Sequence, residues 1–370
     1  MQTTQTQYLP RLDHLRFYAA ALVVVFHFFH THQGDMKANN PLLSLVDEGH
    51  TGIGLFMVIS GYIFTVIAGE DKVLYWPFLR NRLIRIYPLF VFAVLLSLYI
   101  STYNDGRNYG AGEFLSWLIP FRSSTVPFSQ YFVQLWTIWV EFQFYLVFPF
   151  LHRFAQRYGN RYLWALLAFF VLLRLILFIN AGSVRFLAYE TIFGRMDAFL
   201  CGMLLARLVH SPWWKSAPDK GVRSPLHLLI AGAAVIFLLH GFSKIAGFTE
   251  LNHPIWIIWP TVEGLMWAWF LLAYVHCSWN IPGWLERAIA SLGVLSFSMY
   301  VMHNFLIAAF NKLIGVIAFT GNPIRDAALT GVLAVIPAVL LLSMASYFLI
   351  ERPFLSFRGS YLLKNKESSR

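Results

Sequence analysis

The sequence predicts an all-α polytopic membrane protein, a transmembrane helical bundle of about ten spans. The chain has 370 residues, of which 58% are hydrophobic and only 12% charged, and its mean hydropathy is +0.59. An ordinary soluble domain has about 25% charged residues, so this composition excludes a soluble single-core protein. Apolar stretches near the roughly 20 residues that a helix needs to cross a bilayer recur along the whole chain.

The ten predicted spans follow one another without a repeat or an inserted soluble domain. They cover residues 14–32, 52–69, 86–103, 131–151, 162–180, 195–210, 226–242, 255–277, 293–318 and 327–350. The first span carries charges and lacks a small-residue cleavage pattern after its apolar run, so we expect a retained helix and not a signal peptide. We take residues 1–353 as one integral-membrane domain and residues 354–370 as a short basic cytoplasmic tail.

The basic residues predict the orientation of the bundle. The net charge is +10, and an orientation with both termini in the cytoplasm puts most lysines and arginines on the inner side, as membrane insertion favours. The segment 104–130 then becomes the longest external loop. Since this bias explains the positive charge, we expect no nucleic-acid partner. Cys201 and Cys277 lie far apart without metal-type spacing, so we expect neither a disulfide framework nor a metal site.

Two ionisable residues in the first span are the strongest functional signal. Arg16 and His27 are eleven residues apart, which places them on one helix face about 16 Å from each other along the axis. Charged or titratable groups inside a membrane are costly and therefore suggest function. The alternatives are that Arg16 reaches the headgroups as an orientation signal and that His27 is a polar group between packed helices.

A second group of basic residues follows the second span. Arg80, Arg82 and Arg85 precede the third span, and Arg82 and Arg85 are three apart, so their guanidinium groups can share one helix face. Paired arginine forks suit phosphate recognition. The alternative is that any cytoplasmic loop is basic.

Three further sets of polar residues lie within or beside predicted spans. Glu141 lies in the aromatic-rich fourth span, where it could orient His27, act as a general base or neutralise an arginine. Ser296, Tyr300 and His303 form one stripe in the ninth span, which lines a cavity or bridges helices. Arg195 and Asp197 are two apart, so each should pair with a residue elsewhere.

Taken together, these motifs resemble the acyltransferase family 3 integral-membrane proteins, bacterial enzymes that O-acylate surface polysaccharides and related acceptors. The motifs are Leu12-Asp-His-Leu-Arg16 with His27, Gly52-Ile-Gly-Leu-Phe-Met-Val-Ile-Ser-Gly61, Arg82-Leu-Ile-Arg-Ile-Tyr-Pro88, Leu135-Trp-Thr-Ile-Trp-Val-Glu141, Arg195-Met-Asp197, Ser296-Phe-Ser-Met-Tyr-Val-Met-His303 and Glu351-Arg-Pro353. Together these motifs extend over nearly the whole chain, from Leu12 to Pro353.

The resemblance implies acyl transfer from cytoplasmic acetyl-CoA to a carbohydrate hydroxyl in the bacterial inner membrane, with no permanently bound cofactor. It implies that His27 and Arg16 are catalytic and that Arg82 and Arg85 lie near the donor. Some relatives carry an extracytoplasmic esterase-like domain, so we expect transfer here on the membrane domain or on a separate extracytoplasmic partner.

A different class of function is also compatible with ten spans and buried charges. A glycolipid or small-molecule transporter or flippase would have them as well, and paired spans broken by glycine or proline would favour it. We find no such pairs in the sequence.

Overall fold

The computed structural model describes residues 9–33, 38–106, 108–119, 133–216 and 222–364. The long helices in these ranges are α1 (Pro10–Gln33), α3 (Gly52–Ala68), α4 (Tyr75–Asp105), α6 (Leu135–Tyr158), α7 (Asn160–Ala181), α9 (Ile192–His210), α11 (Pro225–Ile245), α12 (Trp259–His276), α13 (Gly283–Val294), α14 (Ser296–Leu313) and α16 (Ile336–Ser346). The all-α prediction is confirmed for the described residues.

Short elements connect these helices. They are α2 (Pro41–Asp47), α5 (Ala111–Leu118), α8 (Arg185–Glu190), α10 (Pro212–Ser216), α15 (Pro323–Thr330), α17 (Arg352–Leu355), and the strands β1 (Lys72–Val73) and β2 (Leu362–Leu363). Two π-helical turns join α15, α16 and α17 into one apolar helix. Such π turns widen a helix locally and leave the axis continuous.

Among the described residues, six helices are long and apolar enough to cross a membrane, and a seventh span results if α13 and α14, which are bent by 60°, are taken together. The other three predicted spans are the helices α6, α9 and α12, which carry ionisable residues such as Glu141, Asp197 and Glu263. The chain is therefore a multi-pass membrane protein, while the count of ten and the cytoplasmic termini stay predictions. Residues 107 and 120–130 of the predicted external loop and residues 131–132 at the start of the fourth span lie outside the described residues.

The centre of the bundle is the close packing of α3 against α9. A Cβ atom at Gly61 would lie 2.1 Å from the carbonyl oxygen of Phe199, and one at Gly202 would lie 2.1 Å from the carbonyl oxygen of Val58. Only a glycine fits at such a distance, as in the small-residue contacts that bring membrane helices together. Gly61 ends one of the motifs quoted above, and a small residue in a membrane span is typical of a close helix contact. Gly202 carries no motif that singles it out.

The chain returns to the start of α4 at its C-terminal end. Strand β2 pairs antiparallel with β1, and the amide side chain of Asn81 both donates to the carbonyl of Gly359 at 2.6 Å and accepts from its N–H at 3.1 Å. The part of the predicted tail that the structure describes, residues 354–364, is thus attached to the helix that carries Arg82 and Arg85.

Replacing Gly61 by alanine should lower the stability of the fold. The added methyl group overlaps a backbone carbonyl that cannot rotate away, so we expect a loss of about 1–3 kcal/mol or more from overpacking. The thermal unfolding midpoint of the purified protein measures it. Gly241→Ala, in α11 with open space at that position, is the matched control and should melt at or above the wild-type temperature. Equal midpoints for the two variants would contradict the close contact.

Candidate active site

A cavity of about 390 Å³ lies among α1, α3, α4, α6 and α14. On α3 its lining runs from Ile53 to Ile67, which corresponds to about 21 Å of helix. The ionisable lining residues include four arginines and two carboxylates: Arg16, Arg82, Arg85, Arg358, Asp13 and Glu141. The cavity is therefore long, and its lining carries an excess of positive charge.

Arg82, Arg85 and Arg358 form what we call the arginine end of this cavity. Arg82 and Arg85 are one turn apart on α4 and both line the cavity, so the prediction that they share a face is confirmed. The guanidinium of Arg82 lies 4.8 Å from the ring centroid of Phe64, and within the described part of the chain its buried Nε has no hydrogen-bond partner. A buried cationic donor without a partner is costly, so this end suits an anion.

Arg16 faces the same cavity from α1. Its guanidinium donates to Asp13 at 2.8 Å, one turn earlier on the helix. The structure thus places Arg16 inside the protein with a carboxylate partner. A free orientation signal in the headgroup layer would need no such pairing.

Glu141 lines the cavity from α6. Its Oε1 accepts a short hydrogen bond from the hydroxyl of Tyr145 and another from Ser60 at 3.2 Å. These hydrogen bonds come from α3 and α6 and not from His27, so direct orientation of the imidazole is not the role that this geometry supports. The carboxylate instead holds the hydroxyl groups of Ser60 and Tyr145, which also line the cavity, in place.

Tyr300, together with Thr137, forms the tyrosine end of the cavity. The two hydroxyl oxygens are 2.6 Å apart, and the carbonyl of Tyr300 accepts a hydrogen bond from Nδ1 of His303 at 2.7 Å. Of the predicted stripe of Ser296, Tyr300 and His303, the first two residues line the cavity. His303, a turn further, is fully buried.

The imidazoles of His27 and His303 lie side by side beyond this tyrosine end. Their ring centroids are 5.0 Å apart with an angle of 34° between the planes. Nε2 of His303 is buried and, in the ranges the structure describes, has no hydrogen-bond partner. His27 is only half-buried and does not belong to the cavity lining. Tyr300 lines the cavity, His303 is hydrogen-bonded to it, and His27 packs on His303, so these two residues lie between the cavity and His27.

Five of the predicted site residues do not line the cavity: His27 and His303, described above, and also Arg80, Arg195 and Asp197. Arg80 is exposed and reaches the carbonyl of Phe357 at 3.5 Å. Arg195 pairs with Glu263 at 2.7 Å and Asp197 pairs with Arg174 at 2.7 Å, with all four side chains at most 2% exposed. The prediction that Arg195 and Asp197 pair elsewhere is confirmed, and both pairs join α9 to neighbouring helices.

Sequence reasoning missed Asp13 and Arg358. Asp13 stands three residues before Arg16, a spacing that brings side chains together on a helix and could have identified the pair. Arg358 carries no comparable signal, because the return of the chain at Gly359 brings it to α4.

The chain belongs to acyltransferase family 3: a family model described as an acyltransferase domain matches residues 9–348. The match covers nearly the whole chain and includes the cavity-lining helices. The expectation drawn from the motifs is confirmed at the level of the family, and the protein is an acyltransferase. No solved structure matches the chain.

Two relatives illustrate the range of the family. The acyltransferase MdmB of Streptomyces mycarofaciens is 24% identical over 335 residues, which are 83% of this chain and 81% of the relative. The O-acetyltransferase OatA of Staphylococcus aureus (strain NCTC 8325 / PS 47) is 28% identical over 337 residues, which are 83% of this chain and 52% of the relative. The chain therefore spans about half the length of OatA.

Breaking the buried pair between Arg174 and Asp197 should destabilise the protein without a direct effect on the cavity. Asp197→Ala leaves a buried guanidinium uncompensated, so we expect a loss of about 3–5 kcal/mol in the free energy of unfolding. Thermal unfolding of the purified protein measures it.

The double variant Arg174→Leu and Asp197→Leu is the matched control for this pair. It removes both charges and should regain most of the lost stability, because no buried charge is left unpaired. A single variant that melts like the wild type would refute the structural role.

Proposed function

We propose that this acyltransferase moves an acetyl group from acetyl-CoA to a hydroxyl of a carbohydrate, either a surface polysaccharide or a lipid-linked sugar, in the bacterial inner membrane. One observation carries the proposal: a long cavity has three arginines at one end and Tyr300 at the other, and an imidazole pair lies just beyond Tyr300, outside the cavity lining. The similarity to OatA, which is an O-acetyltransferase, supports oxygen as the acceptor atom.

The donor should enter with its phosphates at the arginine end, which we take to face the cytoplasm. Guanidinium forks bind phosphate oxygens in pairs, and the excess of arginines over carboxylates favours a multiply charged anion. The largely apolar wall along α3, which includes Met57 and Ile63, then suits the uncharged arm of the donor. Its thioester would point toward Tyr300.

His27 would supply the chemistry. The Nε2 lone pair takes the proton of the acceptor hydroxyl, the oxygen attacks the thioester carbon, the carbon–sulfur bond breaks, and the thiolate leaves to be protonated as free coenzyme A. In the second route, His27 itself attacks and carries the acetyl group before the hydroxyl receives it. Rapid quenching with acetyl-CoA alone distinguishes the routes, since only the second labels the protein.

Arg16 fits a role in holding the donor better than contact with the reacting carbonyl. It lies about 16 Å from His27 along α1, and its guanidinium is fixed by Asp13 on the cavity wall. A group in that place can bind the arm or a phosphate while His27 acts on the thioester. The acyl-CoA, the carbohydrate, membrane lipids and a separate extracytoplasmic acceptor are thus the partners we propose.

Acetyl-CoA cleavage by the purified protein tests the function. We expect thiol release that depends on an added glycan or glycolipid acceptor, together with an acetyl ester on that acceptor. A transporter or flippase would move its cargo without breaking the thioester. Release of neither thiol nor ester with any acceptor, by protein that is folded and binds coenzyme A, would overturn the proposal.

Replacing His27 by alanine should lower turnover by a factor of about 10² to 10⁴, because general acid–base catalysis contributes that much. His27→Gln tests the same loss with less change in volume. Acetyl transfer normalised to folded protein is the measurement. His210→Ala, at an exposed position at the end of α9, is the control and should keep full activity. Near-normal turnover in His27→Ala would remove His27 from the chemistry.

Replacing Arg85 by lysine should raise the KM for acetyl-CoA about tenfold with little change in kcat. Lysine keeps the charge but loses the planar fork, and one lost charge-assisted contact corresponds to about 1.4 kcal/mol, or a factor of ten. Arg80→Lys is the matched control, since Arg80 lies outside the cavity. An unchanged KM in Arg85→Lys would mean that Arg85 serves orientation in the membrane alone.

A further inference from the structure

The C-terminal segment contributes a side chain to the arginine end of the cavity. After α17 the chain turns back, and Gly359 is held by both hydrogen bonds of the Asn81 amide. The N–H of Leu74 also donates to the carbonyl of Tyr361 at 2.9 Å. Arg358, between these attachments and α17, is therefore fixed next to α4.

Two nitrogens of Arg358 lack partners. Nε and one terminal nitrogen are buried, and neither has a hydrogen-bond partner within the described residues, although the side chain lines the cavity. A buried polar donor without a partner is rare in folded proteins and usually marks a missing ligand or water. The free donors of Arg358 and Nε of Arg82 belong to the same end of the same cavity.

Two carboxylates, Glu141 and Glu351, act electrostatically on the three arginines of this end but form no salt bridge with them. Asp13 accepts from Arg16, Glu141 accepts from Tyr145 and Ser60, and Glu351 accepts from Ser298. The ion pairs among the described residues involve none of Arg82, Arg85 and Arg358. Three guanidinium groups around one space repel each other, and an anion among them would remove that repulsion.

We propose that Arg358 is the third arm of a phosphate-binding subsite, with Arg82 and Arg85 as the other two arms. The subsite takes a phosphate or diphosphate ester, and the C-terminal segment completes it by delivering Arg358. Its assignment to the donor rests on the proposed function. The same chemistry is offered by the phosphate of a phospholipid headgroup, because this end of the cavity is the one we place at the membrane surface.

Binding measurements with Arg358→Gln test the subsite independently of activity. The probes are coenzyme A, its phosphate-free fragment pantetheine, and a short-chain phosphatidylglycerol, each titrated into purified protein in a phosphate-free detergent. We expect the dissociation constant of coenzyme A to rise at least tenfold in Arg358→Gln, with pantetheine unchanged. Arg358→Lys, which keeps charge without the fork, should give a smaller rise.

Two controls separate a local effect from damage to the fold. Arg352→Gln changes an exposed arginine that packs on Phe348 outside the cavity, and it should bind like the wild type. Asn81→Ala removes the attachment of Gly359 and leaves Arg358 in the chain, so it should weaken coenzyme A binding in the same direction. Thermal unfolding of each variant shows whether it is folded.

The outcomes distinguish the sources of phosphate and the two proposals. Weaker coenzyme A binding supports a donor subsite, and weaker phosphatidylglycerol binding alone supports a headgroup subsite. Unchanged binding of both probes in folded Arg358→Gln overturns the inference, even if the wild type transfers acetyl groups. If the wild type binds coenzyme A through Arg358 but transfers no acetyl group, the subsite stands and the proposed function falls.

Discussion

The bundle depends on the pairing of buried charge. In a low-dielectric interior an isolated ion costs several kcal/mol, so a buried charge is compensated or marks a site for an external one. Asp197 is paired with a guanidinium at 2.7 Å and also accepts a hydrogen bond from Thr261. Glu263 is likewise paired with a guanidinium at 2.7 Å and accepts a hydrogen bond from Thr51. The arginine end of the cavity is the opposite case, because its guanidinium groups outnumber the acids that could pair with them. This contrast separates the structural charges of the bundle from the candidate functional ones.

The sequence alone predicts what depends on local spacing. The length of each apolar stretch identifies a helix for each predicted span. The three-residue spacing puts Arg82 and Arg85 on one face, and the two-residue spacing separates Arg195 from Asp197. It does not predict contacts made across the chain. Glu263 is 68 residues from Arg195, and its Oε1 lies only 2.8 Å from the point where a Cβ atom of Gly54 would be. The sequence around Glu263 and the sequence around Arg195 do not predict this contact, because it depends on how the two helices pack in the folded protein.

The candidate site follows the same division. The spacing in the first span predicts that Arg16 and His27 share one helix face, but the structure places the two residues in different surroundings. Arg16 lies on the cavity wall with Asp13, whereas His27 lies beyond Tyr300 against His303. The stripe on α14 links them because its spacing of four and then three residues keeps Tyr300 and His303 on one face. The family match supports acyl transfer for the whole chain, and the residue roles rest on this geometry.

The imidazole pair also limits how His27 can act. Nδ1 of His303 donates to the carbonyl of Tyr300, and this hydrogen bond fixes the proton on Nδ1 in the neutral ring and leaves a lone pair on Nε2. Nε2 is buried, and the ring that carries it packs against the ring of His27 beyond the tyrosine end of the cavity. The contact between the rings is a packing contact, because Nε2 of His303 has no hydrogen-bond partner among the described residues. Two protonated rings at 5.0 Å would repel each other. His303 is therefore suited to hold the ring of His27 in place, and at most one ring of the pair should carry an extra proton.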